Sequence, residues 1–131
     1  MAIFKRFEDI QVWQKSRVLA IEVDHITKRE AFRHDRRLKD QMLGSSGSVM
    51  DNIAEGHGRG GNKEFKQFLW IANGSLAELK PQLYRALDKE LITKSEFPDL
   101  YAKSDEIGKM ISGLIKHLKN SEMRGTKYKD D

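Results

Sequence analysis

The sequence predicts an all-α, antiparallel up-down-up-down four-helix bundle, and three observations carry that expectation. Apolar residues recur at three- and four-residue spacing along almost the whole chain, which is the period of a helix with one buried face. Only two prolines occur in 131 residues. No stretch alternates in the period-two manner of a half-buried strand.

The elements follow in chain order. Val12, Trp13, Ser16, Leu19, Ala20, Val23 and Ile26 share one helical face, so the first helix is expected over about 7–28, with Phe4 and Phe7 packing under its first turn. The charged stretch Arg29–His34 has no such pattern and reads as a loop. Asp35 is placed to cap the second helix, whose buried stripe is Leu38, Met42, Ser45, Val49 and Ile53. Gly44 and Gly47 interrupt that helix at a cost of about 1 kcal/mol each relative to alanine, for which close approach of a neighbouring backbone is the expected compensation.

Gly56–Gly61 ends the second helix and turns the chain. Gly61 or Asn62 caps the third, with Glu64 in its first turn near the positive end of the helix dipole. The third stripe is Phe65, Phe68, Leu69, Ala72, Leu76, Leu79, Leu83, Ala86 and Leu87. Pro81 lies inside it and predicts a kink over Ala77–Pro81. Thr93 and Glu96 have capping-box spacing, but Ser95 is the preferred cap because it puts Pro98 where no backbone donor is needed. Leu100, Ser104, Ile107, Ile111, Leu114 and Leu118 form the last stripe, ending near Asn120. Residues 7–120 thus form the bundle, and 121–131 read as a flexible polar tail that buries too little apolar surface to offset its ordering.

Composition narrows the function. The chain has no cysteine and carries a formal charge of +4, with 34% charged residues. Disulfides and thiolate metal sites are excluded. No apolar run is long enough for a signal peptide or a membrane span, so a cytoplasmic protein without membrane contact is expected. The basic excess is mild, and a nucleic-acid footprint requires clustering as well as a high pI.

Several motifs together resemble one family. Phe7-Glu8-Asp9 and Val12-Trp13-Gln14-Lys15 look like the opening of the four-helix-bundle proteins encoded in 23S rRNA intervening sequences. Asn52-Ile53-Ala54-Glu55-Gly56, then Gly58-Arg59 and Glu64-Phe65, resemble that family's central signature. Ala72, Gly74-Ser75-Leu76 and Glu78-Leu79 match its third helix. The resemblance spans about 7–118. It marks Trp13, Asn52, Glu55, Gly56, Gly58, Phe65, Ser75 and Glu78 as structural-motif positions. The family is similar in fold to the accessory variability protein of diversity-generating retroelements, a basic pentamer that binds nucleic acid and a reverse transcriptase. The resemblance therefore implies a ring-like homo-oligomer, pentameric by that likeness, with RNA or DNA and a reverse transcriptase or other protein as partners. It implies no enzymatic activity.

Gly56-His57-Gly58-Arg59-Gly60-Gly61 matches the dinucleotide fingerprint literally, but that motif works between a strand and a helix, and no strand is expected here. Anion binding at the start of the third helix, assisted by Arg59 and Lys63, is a weaker expectation than a simple turn. Arg59-Gly60-Gly61 is a single RGG element, and such elements act as repeats. Glu55, Glu64 and Glu78 with four histidines do not supply the paired Glu-x-x-His motifs of a di-metal bundle. No metal, cofactor or catalytic set is assigned. Glu55 is expected to reach the N–H groups of Lys63–Phe65, and Asn52 to bond a neighbouring helix or subunit. Lys28, Arg29, Arg33, Arg36, Arg37 and Lys39 form the densest basic run, at one end of the bundle. Repeated around a ring, it would make a positive rim for backbone-directed, salt-sensitive nucleic-acid binding. Trp70, one position off the third stripe, reads as an oligomer contact or as cover for the bundle's flank. The competing reading is an oligomer with purely protein partners.

Overall fold

The computed structural model describes residues 4–129, with side chains described through Ser121. Four helices make up the fold: α1 (Gln11–Thr27), α2 (Arg36–Gly58), α3 (Asn62–Asp88) and α4 (Glu96–Lys129). Each packs on its neighbours in the chain, and α1 closes against α4, so the helices stand at the corners of a square. No strand occurs among the described residues. The bundle expected from the sequence is the one observed.

The stripes meet in one core. Leu19, Val23, Leu38, Met42, Val49, Ile53, Leu69, Ala72, Leu79, Leu83 and Ile111 are fully buried. Burying a side chain of Val, Leu or Ile size contributes about 1.5–3 kcal/mol, so these seams dominate the stability. Buried hydroxyls do not interrupt them. Ser16, Thr27, Ser46 and Ser104 each return a hydrogen bond to the carbonyl one turn back, at 2.7–2.9 Å. Each polar atom is thereby satisfied inside its own helix.

Local differences from the expectation have physical causes. The first helix begins at Gln11, because Phe7–Asp9 forms a separate 3-10 turn ending at the extended Ile10. Phe7 still packs there, edge-on to the half-buried Trp13 with centroids 4.9 Å apart. The stretch read as a loop contains a 3-10 helix, Glu30–His34, which swings Phe32 fully into the core. One buried aromatic in a charged segment leaves no periodic signal.

Asp35 caps α2, its carboxylate accepting from the Leu38 N–H at 3.0 Å. The cap of α4 is Thr93 and not Ser95. Thr93 Oγ1 accepts from the Glu96 N–H at 3.1 Å and Glu96 Oε1 accepts from the Thr93 N–H at 2.8 Å. This reciprocal box satisfies two orphan donors, and the carbonyl that Pro98 leaves unpaired belongs to exposed Lys94. α3 continues across Pro81, which is exposed, as is Ala77 one turn back. The helical backbone of α4 runs on to Lys129, past Asn120, where the apolar stripe ends. Intrahelical hydrogen bonds need no packed partner to continue. Asp130 and Asp131 lie outside the described residues.

The glycines divide into two kinds. A Cβ on Gly56 would come within 2.6 Å of Phe68 Cβ, so this glycine admits α3 at close range. Gly44 and Gly47 have nothing within 4 Å of their Cβ directions. The expected close neighbour is therefore absent among the described residues, because both glycines face outward rather than along the α2–α3 seam.

Candidate nucleic-acid interface

The basic run is divided by its own hydrogen bonds. Arg29, at the start of the first connection, forms a fork with Glu96 at the start of α4, with Nη1 to Oε1 at 2.7 Å and Nη2 on the other oxygen. Bidentate guanidinium–carboxylate pairs are among the stronger ionic contacts. The Arg29 guanidinium, opposed by partial burial and helped by the Thr93 N–H, holds the Glu96 carboxyl at about 2. Lys28 is paired with Asp24 at 3.0 Å and Arg33 lies 3.9 Å from Glu30. Arg36, Arg37 and Lys39 have no ion-pair partner among the described residues, and both arginines are exposed.

A second clasp stands beside the first. Lys89, just past α3, reaches Asp35, the cap of α2. Lys89 first, and then the Leu38 N–H, lower the Asp35 pKa. Arg85 donates to Gln41 Oε1 at 3.0 Å. This end of the bundle is therefore stitched across the chain. Arg33, Arg36, Arg37 and Lys39 remain as its outward charge, while Arg29 is structural.

Arg59 and Lys63 do not join that cluster. They sit at the opposite pole, separated from it by the length of α2, about 30 Å at 1.5 Å per residue. Arg59 is held by Glu55 at 3.0 Å and lies 5.2 Å over the Phe68 ring. Glu55 accordingly does not reach the start of α3. It serves the arginine one turn on, because that exposed partner is nearer than the next helix. Lys63 is exposed.

The signature residues at that pole are mainly architectural. Asn52 donates to the Ser48 carbonyl at 2.8 Å and to Ser48 Oγ at 2.9 Å, and Ser75 Oγ donates to Ser48 Oγ at 2.9 Å. Asn52 thus bonds within its own helix, and Ser48 carries the link across to α3. Phe65 is buried and stands edge-on to His57 at 6.0 Å. His57 in turn donates to the Phe4 carbonyl at 2.8 Å, pinning the N-terminal segment to the hairpin. Gly58 closes α2 in open space, and Gly60, with φ of 85°, takes the left-handed turn position that favours glycine. Glu78 is exposed on α3. Among the described residues, no group of three potential ligands is placed to hold a metal. None of the helices is long and apolar enough to cross a membrane.

A bundle with one charged, doubly clasped end and a glycine hairpin at the other is a small helical scaffold. The chain belongs to the family described as 23S rRNA-intervening sequence protein, whose model matches residues 8–113. A solved structure is similar: a protein of unknown function from the S23 ribosomal protein family of Bacteroides thetaiotaomicron VPI-5482, 25% identical, covering 80% of this chain and 98% of its own, with a TM-score of 0.72. No curated protein matches the sequence.

Proposed function

We propose that this chain is a non-enzymatic, self-assembling bundle that acts as a cytoplasmic accessory factor on RNA or DNA, alongside a reverse transcriptase or another protein. The observation that supports it is the set Arg33, Arg36, Arg37 and Lys39. Arg33, Arg36 and Arg37 are exposed at one end of the bundle with Lys39 half-buried beside them, and three of the four have no ion-pair partner among the described residues. Contacts of this kind read phosphate and not bases. Copies arranged around an axis, a pentamer by the family likeness, would sum to a positive rim.

Filter binding to structured RNA at two salt concentrations tests this. Binding should weaken steeply with salt, and Arg33→Glu with Lys39→Glu should weaken it further and flatten the salt slope by roughly one unit per lost contact. Absence of binding at low salt overturns the proposal. A second reading, an oligomer with protein partners alone, is favoured by the exposure of Trp70, Ile71 and Tyr84 on α3.

A further inference from the structure

One row on the outward side of α3 carries no charge between Lys66 and Asp88, with Glu78 and Arg85 exposed beside it. Trp70, Gly74, Ala77, Pro81 and Tyr84 follow one another at four- and three-residue spacing, so they share that face. All five are exposed, Trp70 at 60% and Tyr84 at 50%. In a chain with 34% charged residues this face is anomalous, and Asp88 is the charge that terminates it.

The outward face of α2 has the opposite relief. Asp40, Gly44, Gly47, Asp51 and Ala54 follow the same spacing rule. Gly44 and Gly47 are open, and Arg36 heads the row.

The heights of the two faces correspond. Within the chain, Ser75 meets Ser48 and Arg85 meets Gln41, which fixes the antiparallel register of α3 on α2. A rotation axis parallel to the bundle preserves height, so α3 of one copy would meet α2 of the next in the same register. Asp88 then stands level with Arg36, Tyr84 with Asp40, Pro81 with Gly44, Ala77 with Gly47, and Trp70 with Ala54. Acid faces base, a phenol faces a carboxylate, Trp70 and Pro81 face small residues, and Gly74 stands level with Asp51.

We infer that the Trp70–Tyr84 face of α3 docks on the Arg36–Ala54 face of α2 of a second copy of this chain, head to tail. The inference rests on the self-assembly reading above and assigns its two surfaces. Because the contact joins unlike faces, it closes into a ring or runs on as a filament. Outward directions at adjacent corners of a four-helix square diverge by about 90°, which closes a ring at about four or five copies. Arg33, Arg37 and Lys39 remain free for the rim.

Light scattering on the intact chain and on paired variants tests this. Trp70→Glu spoils one face and Gly47→Arg the other. Each alone should run at the 15.1 kDa of a single copy, with an unchanged helical circular dichroism spectrum. Mixed, they should form a one-to-one pair, since each retains one intact face. Asp88→Arg should lower the mass and Arg36→Asp in the same chain should restore it, both at exposed positions where folding is not at stake. A wild-type monomer overturns this inference together with self-assembly. A wild-type oligomer that every variant preserves, or single variants that stay monomeric when mixed, overturns this inference and leaves self-assembly standing.

Discussion

Gln82 brings a polar amide into the buried side of α3. It is 9% exposed on α3, and its Oε1 has no hydrogen-bond partner. An orphaned buried acceptor costs about 1–3 kcal/mol. Gln82→Met, of similar length and without the acceptor, should therefore raise stability by about 1 kcal/mol, read as a higher urea midpoint at unchanged slope. The Glu96 carboxylate behaves oppositely. Its pKa falls from 4.5 unfolded to about 2 folded, chiefly through Arg29, so its contribution is fully present above 4.5 and is lost as pH falls toward 2. Glu96→Gln should cost on the order of 1 kcal/mol at pH 7, discounted for the half-wet Arg29. The gap between variant and parent should close in thermal melts between pH 4.5 and 2. Neither partner was legible in the sequence, because Arg29 and Glu96 lie 67 positions apart and pattern reading sees only neighbours along a helix. The cap of α4 escapes for a related reason: local spacing offers both Thr93 and Ser95, and the Glu96 carboxylate that selects Thr93 is itself fixed by Arg29 of the first connection.

Helices were the most legible features, since stripe periodicity depends only on chain-neighbour spacing. Their caps and hairpin were readable from Asp35 and the glycine run. What escaped was Phe32, whose burial depends on how the first connection folds back, and the distinction among glycines, which depends on what lies opposite. That distinction is measurable. Gly56→Ala would force a Cβ to within 2.6 Å of Phe68 Cβ, so helix α2 must shift and stability should fall by about 1–3 kcal/mol. Gly113→Ala, on the open face of α4 with nothing within 4 Å, should instead gain about 1 kcal/mol from helix propensity alone. Chemical denaturation of the two variants side by side checks both signs.

Considered as a whole, the molecule keeps its charged run at one pole and Arg59 and Lys63, beside the glycine hairpin, at the other, so the sequence's candidate site is in fact two places. The basic run could be located from the chain. That Arg29 is already engaged could not, because its carboxylate belongs to the start of α4. One pole is fastened by Arg29 on Glu96 and Lys89 on Asp35, each joining segments remote in the chain. The other is closed by a turn of small residues and by His57 holding the Phe4 carbonyl. Both clasps tie the connection between α1 and α2 to the one between α3 and α4, so a pull on either loop at that pole is passed to the other.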